Sequence, residues 1–278
     1  MGQLRITKEG STMQNKRFFA FGCSYTGYRW PTWADIIGVN FELYRNYGRG
    51  GASNLYILQK FLQANDLYKF NKNDVIFVMF TGFGRFTYYQ NNDIHTHGEI
   101  RSWYESTKDP SVGKFLDSGI WTDDLGATNS YIAAKTIKNL LENIGCKYRL
   151  HLSIDNSHYI KHPSRFFQMD IALELAEEFY NTLDEKLSFE EWVKINYTED
   201  DSYKFTDNNT ENRVFDNHPT IEQAANYVKQ YFPEYYTSVS KEFVDDEIKQ
   251  IDFTDYDGQG GRYDTRKYIK WGRDKVQQ

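Results

Sequence analysis

The run Asp74–Phe80, DVIFVMF, constrains the fold more than any other part of the sequence. After its aspartate the run is entirely apolar and rich in β-branched and aromatic residues, without the polar alternation of a half-exposed strand. Such runs are typical of strands that are buried on both faces in a parallel sheet. Parallel strands need crossover connections, which are usually helical, so the run predicts an α/β protein.

Other strand and helix patterns alternate along the chain. Predicted strands cover residues 17–22, 41–47 and 148–154, and predicted helices cover residues 31–38, 53–67, 128–144 and 220–232. This alternation indicates right-handed βαβ units with helices on both faces of a mostly parallel sheet. Ligands of such sheets bind at the carboxyl ends of the strands, where we expect the functional side chains.

The sequence divides into a polar leader (1–15), one domain (16–232) and a C-terminal tail (233–278). Within the domain, residues 86–124 lack a sustained period, which predicts a long loop. Residues 157–212 combine helical patterns with a polar run, which predicts an insertion. The tail has separate acidic and basic blocks and several aromatic residues. This pattern predicts an interaction element that either joins copies of the chain or docks to a partner.

Composition and charge narrow the classes of partner. A net charge of -6 and a pI near 5.6 argue against a nucleic-acid partner. No apolar stretch approaches the ~20 residues of a membrane span, and the N-terminal residues lack the apolar centre of a signal peptide. We therefore expect no membrane partner and a cytoplasmic chain. The two cysteines, Cys23 and Cys146, do not suggest a disulfide framework.

A serine follows the first predicted strand in the phrase FGCSYT, residues 21–26. At a strand-to-helix turn the Oγ atom of Ser24 is exposed above the sheet edge, and the helix start supplies N–H groups. Acyl transfer needs both a nucleophile and donors that bind the oxyanion. The alternative interpretation is that Ser24 only caps the helix.

A second phrase, DNHPT, lies near the end of the domain at residues 216–220. His218 stands between an acid two residues earlier and a proline that begins a helix. Residues two apart in an extended segment project to the same side. The phrase therefore predicts a general base, His218, whose tautomer Asp216 fixes.

The ordered phrases GCSYT, WPTWADIIG, NYGRGGAS and DNHPT resemble the sequence blocks of the SGNH (GDSL-like) serine hydrolases. The set is also similar to phage-encoded members, some of which belong to virions. The resemblance covers roughly residues 16–232 without the insertions. It implies a three-layer, flavodoxin-like fold with a mostly parallel five-stranded sheet, and catalysis without a cofactor or a metal.

The resemblance also implies the catalytic groups. It assigns the nucleophile to Ser24, the base to His218 and the orienting acid to Asp216. The backbone N–H groups of Ser24 and Gly51 form the oxyanion hole in this assignment, with Gly50 as the alternative to Gly51.

The sequence departs from the family pattern at two places. The third block carries Gly-x-Asn in the family, but this chain has TGFGR at residues 81–85. Either the N–H of Gly84 or the guanidinium of Arg85 replaces the missing asparagine, or Arg85 binds an anionic substrate group, or it is structural. The spacing Asp-x-His, instead of Asp-x-x-His, predicts a displaced Asp216 and leaves a Ser-His dyad as an alternative.

Aromatic residues make up 17% of the chain, which suits a surface that contacts carbohydrate or protein but is also consistent with a compositional habit. We place seven of them at the rim of the site: Tyr25, Tyr28, Trp30, Tyr88, Tyr89, Trp103 and Trp121. The expected substrate is an acylated small molecule or glycan, so the first hypothesis is a carbohydrate O-acetyl esterase in which Tyr25 also contacts the substrate. The rival hypothesis is an SGNH-fold binding or structural protein, incorporated in a phage virion through its tail.

Other polar residues give weaker signals. His95, His97 and Glu99 have spacing that a metal site can use, but a polar loop with two histidines usually binds nothing. His158 and His162 have no partners at a diagnostic spacing. The acidic pairs at 123–124 and 200–201 are predicted to be solvated loops.

Overall fold

The computed structural model describes residues 16–90, 93–99, 110–119, 121–206, 213–216 and 218–250. The strands of these residues are β1 (Arg17–Gly22), β2 (Leu43–Gly48), β3 (Val75–Phe80), β4 (Arg85–Gln90), β5 (Asp93–Glu99), β6 (Lys147–Leu152), β7 (Lys204–Thr206) and β8 (Arg213–Phe215). The α-helices are α1 (Trp33–Gly38), α2 (Asn54–Tyr68), α3 (Pro110–Asp117), α4 (Asp123–Ile144), α5 (Ser157–Lys161), α6 (Pro163–Phe166), α7 (Asp170–Thr182), α8 (Phe189–Asn196), α9 (Ile221–Tyr231) and α10 (Ser238–Ile248).

The main sheet of the described residues has four parallel strands in the order β2-β1-β3-β6. All six residues of β3 are buried, as its apolar sequence predicts. This confirms an α/β architecture with a mostly parallel sheet flanked by helices. The fifth strand that the resemblance implies is not among the described strands of this sheet and stays a prediction.

Two apolar clusters cover the two faces of the sheet. Alternate residues of β1 enter different clusters: Phe18 packs with α1, α9 and α10, and Phe19 packs with α2, α4 and α7. Side chains alternate along a strand, so a strand covered on both faces needs apolar residues at every position. The chain segments that follow β1, β3 and β6 meet at one edge of the sheet, where the candidate residues lie.

The predicted long loop at 86–124 is wrong for its described parts. Strands β4 and β5 form an antiparallel hairpin in this region. Helix α3 follows, and α4 begins at Asp123 rather than Thr128. Short strands and a single helix of two turns give weak periodic signals, so local pattern did not reveal them.

The packed domain extends beyond residue 232. Helix α10 lies in the part that the sequence assigned to the tail, but Phe243 and Val244 are buried in the cluster with α1 and α9. Ser240 donates its hydroxyl hydrogen bond to the carbonyl of Ile36 at 3.0 Å. The interaction role of the remaining tail, residues 251–278, and the polar leader lie outside the described residues.

Two further features bear on the environment of the chain. No helix in the described ranges combines the length and apolar character that crossing a bilayer requires. Cys23 and Cys146 are both free and buried.

Candidate functional site

Ser24 lies at the apex of a tight turn directly after β1. The N–H groups of Thr26 and Gly27 both donate to the carbonyl of Cys23, at 3.0 and 3.1 Å, which closes the turn around Ser24. The next helix, α1, begins only at Trp33. The expectation that Ser24 stands at a helix start is therefore wrong, and so is the alternative that it caps a helix.

Backbone contacts fix this turn against β2. The backbones of Gly27 and Gly48 approach so closely that a Cβ atom on Gly48 would lie 2.3 Å from the nitrogen of Gly27. Asn46 donates a side-chain hydrogen bond to the carbonyl of Thr26 at 2.7 Å. Side chains larger than glycine at either position would push the Ser24 turn away from the sheet edge.

Asp216 and His218 form a directly bonded pair just before α9. Asp216 Oδ1 accepts two hydrogen bonds from His218, one from the backbone N–H at 2.9 Å and one at Nδ1 at 2.8 Å. The first bond closes a turn in which an aspartate binds the backbone two residues on. This turn brings the ring back to the same oxygen, so the short Asp-x-His spacing does not displace the acid from its base.

The environment of Asp216 defines which tautomer His218 adopts. Burial acts to raise the pKa of Asp216, but hydrogen bonds from His218 and Tyr28 and the charge of His218 together lower this pKa below its usual value. An ionised carboxylate only accepts hydrogen bonds, so Nδ1 of His218 must be the donor. Nε2 is then the nitrogen that can exchange a proton with a neighbouring hydroxyl.

Two aromatic residues of the segment between β1 and α1 hold the Asp216–Thr220 segment. The ring of Tyr28 stacks on the His218 ring, with 3.8 Å between centroids and 19° between planes. The Tyr28 hydroxyl donates to Asp216 Oδ2 at 2.7 Å. Trp30 donates from Nε1 to the carbonyl of Pro219 at 2.9 Å. The segments that carry Ser24 and His218 are thus joined by direct contacts.

Ser24 and His218 line one small cleft with about 190 Å³ of empty space, part of it open to solvent. The residues that complete its lining are Tyr25, Tyr28, Trp30, Thr32, Phe189, Pro219 and Ala224. Exposure falls from 27% for the His218 side chain to 6% for Ser24 and 3% for Asp216. Among the described residues no hydrogen bond joins Ser24 to His218, so they share a cleft without direct bonding.

The three candidate oxyanion donors are backbone N–H groups of Ser24, Gly51 and Gly84. Within the described ranges none of these groups donates a hydrogen bond. Gly51 has φ 70°, a conformation that favours glycine. Neither Gly51 nor Gly84 lines the cleft, although both lie in segments at the same sheet edge.

Asparagines near the third block are already occupied. Asn54 binds both backbone groups of Thr81, accepting from its N–H at 2.8 Å and donating to its carbonyl at 3.0 Å. Asn156 accepts from the N–H of Phe83 at 3.1 Å and donates to the Thr81 carbonyl at 3.3 Å. Both side chains shape the turn after β3, so we do not expect either to be the third-block donor that the resemblance implies.

Arg85 follows this turn as the first residue of β4. Its side chain is half-buried, and the buried Nη1 atom has no hydrogen-bond partner. No hydrogen bond or ion pair of the guanidinium is present in the described part of the chain. Arg85 does not line the cleft, but its charge acts to lower the pKa of the cleft residue Tyr25, which burial raises strongly overall.

The other polar candidates have structural surroundings. Asp123 and Asp124 are buried in the first turn of α4, so their prediction as a solvated loop is wrong. Asp124 accepts hydrogen bonds from the N–H groups of Gln168 and Met169. Asp200 is exposed and pairs with Lys204, in keeping with a solvated segment.

No group of metal-ligating side chains is assembled within the described ranges. The side chains of His95, His97 and Glu99 in β5 are outside these ranges, although the backbone of β5 is described. His158 packs against Tyr159 and Phe166. His162, the other histidine named with it in the sequence analysis, directly follows α5.

The predicted aromatic rim is only partly present at the cleft. Tyr25, Tyr28 and Trp30 line it, but Tyr25 and Trp30 are buried and Tyr28 is stacked on His218. Trp121 packs with Phe86 in a separate cluster. Tyr88 also stacks on Phe86. The side chains of Tyr89 and Trp103 lie outside the described residues.

Sequence reasoning missed Phe189 in the cleft wall. Ser188 and Glu191 form a reciprocal capping box, a signal that places Phe189 in the first turn of α8. Nothing local shows that this turn docks at the sheet edge, where the N–H of Glu190 donates to the carbonyl of Ser153 at 3.0 Å.

No family model matches the chain, and no curated protein or solved structure matches it significantly.

Proposed function

We propose that this chain is an SGNH-type serine ester hydrolase, and within that class an esterase that removes O-acetyl groups from carbohydrate. The observation that carries the proposal is the shared cleft of Ser24 and His218, in which Asp216 binds Nδ1 of the histidine. A nucleophile, a base with a defined tautomer and an orienting acid are the parts that acyl transfer requires.

In the proposed reaction, Nε2 of His218 accepts the proton of Ser24 as Oγ attacks the ester carbonyl. His218 then gives this proton to the leaving alcohol, and water hydrolyses the acyl-enzyme by the same steps in reverse order. The nucleophile–base hydrogen bond often forms or shortens only in the complex with substrate. Two groups that share a cleft without this bond are therefore compatible with the mechanism.

We assign the oxyanion hole to the N–H groups of Ser24 and Gly51, supported by their lack of other partners in the described chain. The third donor comes from Gly84 or Arg85. Arg85 supports this assignment better, because its guanidinium has no partner among the described residues. A charged donor in a poorly solvated site stabilises developing negative charge strongly.

The strand order β2-β1-β3-β6 supports a flavodoxin-like SGNH fold, because it matches the first four positions of the flavodoxin order. A fifth strand beside β6 would complete that sheet. Tyr25 lines the cleft beside Ser24 and is the residue that we expect to contact the acyl group.

The size of the cleft supports a short acyl group. The cleft has about 190 Å³ of empty space, part of which is open solvent, so the enclosed space beside Ser24 is smaller still. Its walls combine aromatic rings with Ala224 and Pro219, which suit a methyl group better than a charged one. We expect acetyl esters to react faster than butyryl esters, and a panel of acetylated glycans tests the carbohydrate part.

The decisive experiment is covalent labelling with a fluorophosphonate, followed by mass spectrometry of the peptide that contains Ser24. The wild-type chain should form an adduct, and Ser24→Ala should lose both the adduct and ester hydrolysis. The hydroxyl of Ser24 has no hydrogen-bond partner in the described residues, so its removal should change the melting temperature little.

Ser240→Ala is the matched control, because Ser240 is a buried serine bonded to backbone carbonyls far along the chain in α10. This variant should keep the adduct. Wild-type turnover in the Ser24→Ala variant would show that Ser24 is not the nucleophile.

The second candidate is an SGNH-fold binding or structural protein, such as a component of a phage virion. The absence of a third-block asparagine and the engagement of Asn54 and Asn156 in the turn after β3 favour it. Its prediction is that native protein forms no Ser24 adduct. The same labelling experiment therefore separates the two candidates.

A further inference from the structure

Tyr28 makes two different contacts to the proposed acid and base. Its hydroxyl donates to Asp216 Oδ2, the oxygen that His218 does not use, at 2.7 Å. Its ring lies 3.8 Å from the His218 ring in a stacked arrangement. One side chain therefore holds the acid and one face of the base at the same time.

The need for such a residue follows from the local geometry of Asp216. Both bonds from His218 end on Oδ1, and both come from a residue only two positions along the chain. Neither of these bonds ties the Asp216 carboxylate to a residue that is distant in sequence. Tyr28 supplies that anchor, since it lies 188 residues away in sequence and bonds the other oxygen.

Neighbouring contacts hold Tyr28 in place. Trp30 packs edge-on against Tyr28, with 4.6 Å between centroids, and donates to the carbonyl of Pro219. The His218 ring also contacts Tyr25 at 5.5 Å. The ring of the base is thus held by two tyrosines from the turn that carries Ser24.

We propose that Tyr28 is a positioning residue that fixes Asp216 and the His218 ring toward Ser24 and makes the short Asp-x-His spacing workable. Tyr28 acts through Asp216 and His218 and takes no part in bond making. This inference rests on the proposed function for its effect on turnover. Its effect on the Asp216–His218 pair itself is independent of that function.

Two substitutions separate the two contacts. Tyr28→Phe removes the hydrogen bond and keeps the ring, so kcat should fall about tenfold, the factor of one hydrogen bond to a charged group, with KM nearly unchanged. Tyr28→Leu removes both contacts and should lower kcat further. In both variants, ¹³C NMR of the Asp216 carboxyl should show its titration midpoint moving to higher pH.

Ring nitrogen NMR gives a second readout without activity. In the wild-type chain, the neutral His218 ring should carry its single N–H proton on Nδ1, as the bond to Asp216 requires. Tyr28→Leu should show a mixture of tautomers, because the ring loses its stacking partner and Asp216 loses its anchor. Tyr28→Phe should show a smaller change in the same direction.

Tyr44→Phe is the matched control. Tyr44 also donates to a buried aspartate, Asp35 Oδ1, at 2.9 Å, but neither residue lines the cleft. This variant should change kcat and the His218 tautomer little, while its melting temperature falls by an amount similar to that of Tyr28→Phe.

The outcomes distinguish the two proposals. If Tyr28→Phe and Tyr44→Phe give the same kcat and the same Asp216 midpoint as wild type, Tyr28 has no positioning role. If the wild-type chain forms no Ser24 adduct, the proposed function fails. In that case the Asp216 midpoint and the His218 tautomer of the Tyr28 variants still decide whether Tyr28 positions the pair.

Discussion

Two segments at the same sheet edge differ in how completely their polar groups are bonded. In the Asp216–Thr220 segment, both carboxylate oxygens of Asp216, Nδ1 of His218 and the carbonyl of Pro219 have partners. In the Thr81–Arg85 turn the backbone is bonded by two asparagines, but Thr81 Oγ1 and Arg85 Nη1 are buried without partners among the described residues.

This difference shows how far each segment is organised in advance. Preorganised catalytic groups need partners that hold their orientation before the substrate binds. The Asp216–Thr220 segment meets this requirement within the described chain. The turn retains unused donors, and buried donors without acceptors destabilise a fold by about 1–3 kcal/mol each. A substrate oxyanion that accepts a hydrogen bond from Arg85 would provide the missing acceptor for this guanidinium.

The largest effect should come from Asp216→Asn, which tests the organised segment. An amide cannot accept from His218 and Tyr28 with the strength of a carboxylate, and it favours the wrong tautomer of His218. Turnover should fall by about 10²–10⁴-fold.

Unchanged turnover would show that another group orients His218. Asp35→Asn is a suitable control for the loss of a buried aspartate. Asp35 accepts from Thr32 and Tyr44 and does not line the cleft. This variant should lose stability but keep the turnover of the wild type.

Arg85→Met should have the next largest effect, and it tests the incompletely bonded turn. Loss of an oxyanion donor typically costs about 10²-fold in turnover. Stability should stay level or rise, because a partly buried charge without a described partner is replaced by an apolar side chain. Kinetics and thermal melts of the same sample check both statements.

The substrate separates the roles of Arg85. A donor to the oxyanion lowers kcat for every ester, whereas a binder of anionic groups raises KM for anionic esters only. Arg45→Met is the control, since Arg45 bonds the Tyr68 hydroxyl outside the cleft. Wild-type kinetics with neutral and anionic esters in the Arg85 variant would remove both roles and leave a structural arginine.

Much of the architecture could be predicted from local sequence. The apolar runs of β1 and β3, and the helices predicted at residues 53–67 and 220–232, are confirmed as β1, β3, α2 and α9. These signals work because burial on both faces and helix capping act over a few residues. Hairpin β4–β5 and the packing of α10 were missed, because short strands and a charged amphipathic helix resemble loop and tail in composition.

The site was predicted less completely. The resemblance assigned Ser24, Asp216 and His218 to one site, and in the structure Ser24 and His218 line one cleft while Asp216 bonds His218. The sequence also placed Tyr28 near the site, but only as a rim residue. Its bond to Asp216 and the position of Phe189 depend on long-range packing, for which one sequence carries no local signal.

A smaller effect concerns stability rather than turnover and involves His151, a buried histidine that does not line the cleft. Burial, with help from the charge of Arg149, lowers the pKa of His151 to about 3. Its Nδ1 bonds the hydroxyl of Tyr227 at 2.9 Å instead of a carboxylate. Between this pKa and the unfolded value near 6.5, the unfolded state binds the extra proton.

Stability should therefore fall as the pH drops from about 6.5 towards 3, by up to about 1.4 kcal/mol per pH unit from this group. His151→Gln removes the titrating group and keeps a partner for Tyr227, so urea unfolding at several pH values should show a shallower slope. A slope equal to that of wild type would show that His151 does not titrate on unfolding.

The smallest effect should come from deletion of residues 251–278, which follow α10 in the sequence. We expect this truncated chain to keep the wild-type melting temperature and hydrolysis of small esters. Sedimentation would show whether assembly weakens, as the predicted interaction element requires.

Deletion from residue 233 is the informative contrast, because it also removes Phe243 and Val244, whose burial contributes about 1.5–3 kcal/mol each. That loss is a large share of the stability of a typical domain, about 5–15 kcal/mol, so the shorter chain should lose its cooperative unfolding transition in circular dichroism. A folded, active chain that ends at residue 232 would show that α10 is dispensable and would restore the boundary that the sequence predicts.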